Sequence, residues 1–207
     1  MSGCTLPWKA QQHLRRCRRV LSTVIARLRC MAWGVRPGPG SSFLGPFRLR
    51  RCPGSTLRIG SSFRAEGGCF DNPVGLNCPN LVQTLARGAE LTIGDDVGIS
   101  GAVISCTRQV AIGNRVLIGA NARIFDSDFH PVQSPERRYD REGIRQAPVV
   151  VGDDCWLGAG AILLPGTVLG DNVVVAAGAV VTGSFGPGLV IGGVPARVIR
   201  EIQPESR

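Results

Sequence analysis

An all-β fold, a parallel β-helix wound from hexapeptide repeats, is what this 207-residue chain predicts. Three observations predict it. Aliphatic residues recur six apart at Val151, Leu157, Leu163, Leu169, Val175 and Val181, and a small or β-branched residue follows four later at Cys155, Ala161, Thr167, Val173 and Ala179. Glycine is abundant, at 28 residues, and falls with Asn and Asp between the aliphatic positions, where a tight corner needs residues that tolerate positive φ. Hydrophobic residues make up 43% of the chain but aromatics only 5%, so the core is expected to be built of small and β-branched side chains. A period of six fits neither a helix nor a plain strand. It fits a solenoid in which each hexapeptide is one short strand and a corner, three of them making a coil of roughly eighteen residues.

The elements follow in order. Residues 8–33 predict a helix in which Leu14, Cys17, Leu21, Val24, Ile25, Leu28 and Met31 recur at steps of three and four, opposite an Arg-rich face. Gly34 stops it, and Pro37, Gly38, Pro39 and Gly40 form a linker. A weak echo of the repeat begins at Ile59. It is clear at Ile93 and Ile99, then, after a shift of phase, at Ile112, Ile118 and Ile124. Between Ile124 and Val151 the period fails, and the insert Asp126–Pro148 carries His130, Pro131 and Pro135; a long loop on a rigid solenoid is where function concentrates. After Val181 the pattern breaks at Gly183, Gly186, Pro187 and Gly188 and closes with Val190–Ile199. The expected organisation is a basic N-terminal helix and linker over 1–55, the β-helix over 56–190 with its inserted loop at 126–148, and a closing segment over 191–207.

Charge divides the chain. Residues 1–65 hold 13 Lys and Arg and no acid, whereas 66–207 hold 11 basic and 15 acidic residues. The basic part lacks the aromatic–basic interleaving of single-strand binders and any zinc-finger spacing, which argues against nucleic acid. Two readings of the arm stay open: a cap on the open end of the solenoid, and peripheral contact with an anionic membrane surface. The apolar run Val20–Ala26 is too short and too closely flanked by arginines to span a bilayer or serve as a signal peptide. The eight cysteines (Cys4, Cys17, Cys30, Cys52, Cys69, Cys78, Cys106 and Cys155) are scattered without a CxxC pair, a pattern expected of reduced thiols. The expected location is the cytoplasm, with the arm suited to the inner face of the membrane.

Four local patterns carry a resemblance: Ile93-Gly-Asp-Asp-Val-Gly-Ile-Ser-Gly-Ala, Ile118-Gly-Ala-Asn-Ala-Arg-Ile-Phe-Asp-Ser-Asp-Phe-His130-Pro131, the Val151–Val181 repeat, and Gly192-Gly-Val-Pro-Ala-Arg197-Val-Ile. They resemble the hexapeptide-repeat acyltransferases, in particular the O-acetyltransferases of sugars and cell-surface polysaccharides. Asn72-Pro-Val-Gly-Leu-Asn77 looks like a stretch of the sugar-modifying members. The match covers about 70–202 and leaves residues 1–55 without a counterpart. It implies a left-handed β-helix, a homotrimer with active sites at the subunit clefts, a long loop reaching over the cleft beside a neighbour, and acetyl-CoA as cosubstrate with no metal.

An alcohol is a poor nucleophile at neutral pH, so transfer from a thioester to a hydroxyl needs a base, and histidine suits the task. Of the two histidines, His13 lies in the arm and His130 falls where the family places its base. Asp126 or Asp128 would then orient the imidazole. The resemblance implies Trp156 and Asn77 on the acceptor side, and Gly158, Ala176 and Ala177 along the pantetheine arm. It also implies Pro195 and Arg197 at the nucleotide end, where a guanidinium suits phosphate. The N–H of Gly158 or of its neighbour is the expected oxyanion donor. Two departures stand out: Gly183 follows Thr182 where many relatives have Lys, and Cys78 stands where sugar-modifying relatives often carry His. Gamma-class carbonic anhydrase needs three histidines and is excluded. The nucleotidyltransferase fusions and serine acetyltransferases need N-terminal domains that 1–55 does not supply. A small xenobiotic acceptor such as an antibiotic, or a non-catalytic assembly subunit, remain as rivals.

Overall fold

The computed structural model describes residues 8–68 and 72–203; Cys4, Cys69, and the outermost parts of the expected arm and closing segment lie outside them. Among the described residues one helix, α1 (Trp8–Ala32), precedes the strands. The first coil is β1 (Ser42–Leu44), β2 (Phe47–Arg50) and β3 (Thr56–Ile59); the second is β4 (Arg64–Glu66), β5 (Asn80–Thr84) and β6 (Glu90–Ile93). The third is β7 (Gly98–Ser100), β8 (Val103–Cys106) and β9 (Gln109–Ile112), and the fourth β10 (Leu117–Ile118), β11 (Arg123–Phe125) and β12 (Val149–Val151). Then come β13 (Trp156–Leu157), β14 (Ile162–Leu163) and β15 (Val168–Leu169), and β16 (Val174–Val175), β17 (Val180–Val181) and β18 (Ser184–Phe185). The strands β19 (Leu189–Gly193) and β20 (Ala196–Glu201) follow.

Each coil gives one strand to each of three parallel sheets. The first face runs β1-β4-β7-β10-β13-β16-β19 with β20 added antiparallel, the second β2-β5-β8-β11-β14-β17, and the third β3-β6-β9-β12-β15-β18. Where the repeat is regular the register is eighteen residues, as in Trp156↔Val174 and Ile162↔Val180. The predicted aliphatic positions are the buried ones: Val151, Leu157, Leu163, Leu169, Val175 and Val181 all point inward, each in register with its equivalent in a neighbouring coil.

The corners explain the rest of the repeat. At the corner joining third face to first, a Gly lies against the next coil: a Cβ on Gly113 or Gly152 would sit 2.8 Å or less from its backbone. The following Asp or Asn accepts an N–H from the preceding coil, from Ser61 to Asp95 (2.6 Å), Asp95 to Asn114 (2.9 Å), Asn114 to Asp153 (2.8 Å) and Asp153 to Asp171 (2.8 Å). One residue later the backbone turns left-handed, at Asp96, Arg115, Asp154 and Asn172. The Gly-Asp-Asp and Gly-Asp-Asn triplets are thus one continuous ladder along an edge of the prism.

The solenoid starts earlier than the expected residue 56. Strands β1 and β2 already pair in register with β4 and β5, through Ser42↔Arg64 and Phe47↔Asn80. The physical reason is a change of side chain at the end of the stack. Phe43, Phe47 and Phe63, with centroids 4.8 to 6.1 Å apart, plug the first coil, so rings stand where the small-residue pattern was expected. At the other end β19 spans the expected boundary at 190/191. Helix α1 lies on the outer edge of β1. Thr23 Oγ1 accepts the N–H of Phe43 (2.9 Å), Ser22 Oγ accepts that of Gly45 (3.3 Å), and Glu66 holds Arg15 and Arg19. Its inward face is small, with Ala26 and Cys30 buried; the predicted apolar stripe is on the opposite side. Among the described residues no helix is long and apolar enough to cross a membrane.

Candidate active site

The loop 126–148 leaves the solenoid between β11 and β12, at the corner of second and third faces. Its neck is tied by the N–H of Ala147 to the Asp126 carbonyl (3.0 Å), the N–H of Asp128 to the Arg145 carbonyl (3.0 Å), and the antiparallel bridge Ser127↔Gln146. Arg145 then bonds the Pro165 carbonyl (3.1 Å) on the turn of the next coil. Phe129, whose ring packs 5.8 Å from that of Phe125, has a φ of 61°, a strained conformation for a bulky side chain. Strain of this kind clusters at functional sites, and it immediately precedes His130.

His130 is exposed, with Nδ1 at 3.1 Å from the Arg137 carbonyl. A carbonyl can only accept, so this bond requires the proton on Nδ1, and neutral His130 keeps its lone pair on Nε2. The orienting group is therefore a backbone carbonyl of the same loop and not Asp126. Asp126 is wholly buried and spent elsewhere: its Oδ1 accepts the N–H of Thr107 (2.7 Å), and its Oδ2 those of Arg108 (2.6 Å) and Gln109 (2.7 Å). Those residues form the turn between β8 and β9, which is two residues longer than the regular repeat; with the β7–β8 corner one residue shorter, the net result is the one-residue shift of phase between Ile99 and Ile112. Asp128, half-buried, has no hydrogen bond to His130 among the described residues. Sequence reasoning missed Arg137, because a carbonyl that any residue type supplies leaves no signal.

The remaining predicted residues gather along a different edge of the prism, the corner of first and second faces. Gly158, Ala176 and Ala177 are stacked there on successive coils, and the β19–β20 turn with Pro195 follows above them. Gly158 lies flat on the coil above, since a Cβ would fall 2.6 Å from the Ala177 nitrogen. Its N–H is bound to the Val175 carbonyl (2.8 Å), so it is not available to an oxyanion; the N–H of Ala159 has no such bond among the described residues. At Gly178 a Cβ would meet nothing within 4 Å, so this edge is a low, open shelf of small residues. Asn77 joins the same edge: its N–H donates to Asn121 Oδ1 (2.8 Å), and Asn121 in turn holds the Gly75 carbonyl (3.1 Å). Arg197, exposed on β20, bonds the Ala196 carbonyl (2.8 Å).

Trp156 stands on the first face in a row of outward side chains, Leu117–Trp156–Val174–Val190. It is 53% exposed, a large apolar surface left open beside a groove of about 250 Å³ that runs past Leu117, Gly98 and Arg64 to Arg19 of α1. One chain therefore holds two separate features: the His130 imidazole on the second–third corner, and a shelf with an exposed indole on the first face and the first–second corner.

These features define a class, a β-helix of stacked hexapeptides with one long polar loop. The family described as bacterial transferase hexapeptide (six repeats) matches residues 148–183, and the hexapeptide repeat of succinyl-transferase matches 109–124. The chain is 33% identical over 148 residues to a putative lipopolysaccharide biosynthesis O-acetyl transferase, WbbJ, of Escherichia coli, covering 68% of this chain and 73% of that one. It is 37% identical over 98 residues to the galactoside O-acetyltransferase of the same organism, covering 47% of each. A solved structure of a hexapeptide-repeat acetyltransferase from Vibrio cholerae superposes with a TM-score of 0.55 at 22% identity, over 97% of this chain and 96% of that one. The fold is thus the left-handed parallel β-helix. The chain belongs to the hexapeptide-repeat acyltransferases, and is an acetyltransferase of that family.

Proposed function

We propose that this protein is a homotrimeric O-acetyltransferase that moves the acetyl group of acetyl-CoA to a hydroxyl of a sugar or a polysaccharide precursor, with His130 as general base. The observation that carries the base is the bond between His130 Nδ1 and the Arg137 carbonyl, which leaves Nε2 as acceptor. The sugar class rests on the relatives named for lipopolysaccharide and galactoside acetylation.

The chemistry then runs as follows. His130 Nε2 takes the proton of the acceptor hydroxyl as its oxygen attacks the thioester carbonyl carbon. The tetrahedral oxyanion needs a donor, and the N–H of Ala159, which has no partner among the described residues, supports that role. Collapse breaks the C–S bond, and the imidazolium returns its proton to the departing thiolate. The shelf of Gly158, Ala176, Ala177 and Gly178 suits an extended pantetheine arm, because its residues carry no side chain beyond Cβ. Arg197 and Arg200 beyond it suit the phosphorylated end, and no cation stands at Gly183, so nucleotide affinity is assigned to these two. Trp156 and Asn77 flank the acceptor. The base and the shelf occupy different corners of one chain, which supports a site completed between subunits, the loop of one reaching the shelf of the next.

The test is release of free thiol from acetyl-CoA with a panel of sugars. Acceptor-dependent release is expected, and His130→Ala lowers kcat about 10²- to 10⁴-fold at an unchanged melting temperature. Full turnover by His130→Ala removes it as the base. No release with any acceptor, together with no binding of CoA, favours a non-catalytic subunit.

A further inference from the structure

Helix α1 packs with its polar and small side on the solenoid. Ser22, Thr23, Ala26 and Cys30 face β1, whereas Leu14, Val20, Leu21, Val24, Leu28 and Met31 point away and are each 49% to 66% exposed. At 100° per residue these six fall in one stripe along the helix. Arg16 and Arg27 lie along one border of the stripe and Arg18 and Arg29 along the other, and the 25-residue helix contains no acid. Arg27 is tied to the Gly38 and Ser41 carbonyls (3.2 and 3.3 Å), which hold its position without neutralising its charge. A soluble face does not ordinarily expose six large aliphatic side chains in one patch.

We propose that this face docks on the surface of an anionic lipid bilayer, the helix lying in the interface plane with its stripe among the acyl chains and its arginines at the headgroups. An apolar stripe with cationic borders is the pattern such a surface selects. The charge pattern also decides against a second copy of the chain. Two such faces packed on each other set arginine borders against arginine borders, which is repulsive.

The full-length protein is mixed with phosphatidylcholine vesicles, with and without phosphatidylglycerol, and the bound fraction is read after flotation. Binding is expected to phosphatidylglycerol vesicles and to weaken with added salt. The exposed pair Leu21→Asp and Leu28→Asp abolishes it at unchanged helix content and melting temperature, and Arg16→Glu with Arg29→Glu lowers affinity about ten-fold or more. No binding to anionic vesicles overturns the proposal. So does binding that the two Asp substitutions leave intact, and so does a change in oligomer mass caused by them, which assigns the stripe to a contact between protein chains.

Discussion

Asp126 and Asp128 are separated by one residue and differ in kind. The buried Asp126 carboxylate satisfies three N–H groups of a partly buried turn. Asp126→Ala orphans all of them and is expected to cost about 3 kcal/mol or more, read as a fall in melting temperature. Asp128→Asn is expected to leave both stability and kcat near the native values; a large loss of kcat would restore it as the group that orients His130. His130 was legible in the sequence through its motif, whereas the division between the two aspartates was not, because it depends on two extra residues in the turn of the preceding coil. Cysteine reactivity is also set at this scale. Burial pushes the Cys30 thiol up to about 11, and burial together with the charge of Asp126 pushes Cys106 up to about 12, so both stay protonated near neutrality. Iodoacetamide at mildly alkaline pH is expected to label exposed Cys17 and spare Cys30 and Cys106, as peptide mass mapping would show.

Among the elements, the edge built from Asp95, Asn114, Asp153 and Asp171 binds coil to coil. Hydrogen bonds from the backbone and side chain of Asn114 hold Asp153 below the usual carboxylate range, and the Arg115 guanidinium does the same for Asp154. A carboxyl with a lowered folded value stabilises the fold above its unfolded value of about 3.9 and loses that contribution as pH falls through the folded one. Melting temperature is therefore expected to drop on acidification below about pH 4, and to drop less in Arg115→Met, which has already lost the ion pair. Equal slopes in the two proteins would uncouple the pair from acid stability. The six-residue period made most strands legible, from Ile93 to Val181, because each inward position repeats the same environment. The first coil was not legible for the opposite reason: Phe43, Phe47 and Phe63 answer to an end that has a neighbour on one side only, and Ser22 and Thr23 are read as helix residues although they act as caps on a strand.

At the scale of the whole molecule, the separation of His130 from the Ala177 shelf makes a prediction that no single-chain site shares. Ala177 is exposed, so Ala177→Trp blocks the shelf without disturbing the core. This variant and His130→Ala are each expected to be inactive alone. Refolded together in equal amounts, they are expected to recover about a quarter of native activity, since a quarter of the interfaces join an intact loop to an intact shelf. Absence of recovery would place both halves of the site in one chain. The ends of the solenoid matter at this scale too. A stack of coils at constant register has no intrinsic length: every exposed strand edge is a template for one more coil, including a coil from another molecule. On the first face both ends of this stack of six turns are chemically refused to newcomers. The hydroxyls of Ser22 and Thr23 occupy the edge of β1, and β20 runs backwards across β19 with Arg197, Arg200 and Glu201 exposed on it. On that face, what stands between this enzyme and an end-to-end fibre is therefore a pair of hydroxyls and one reversed, charged strand.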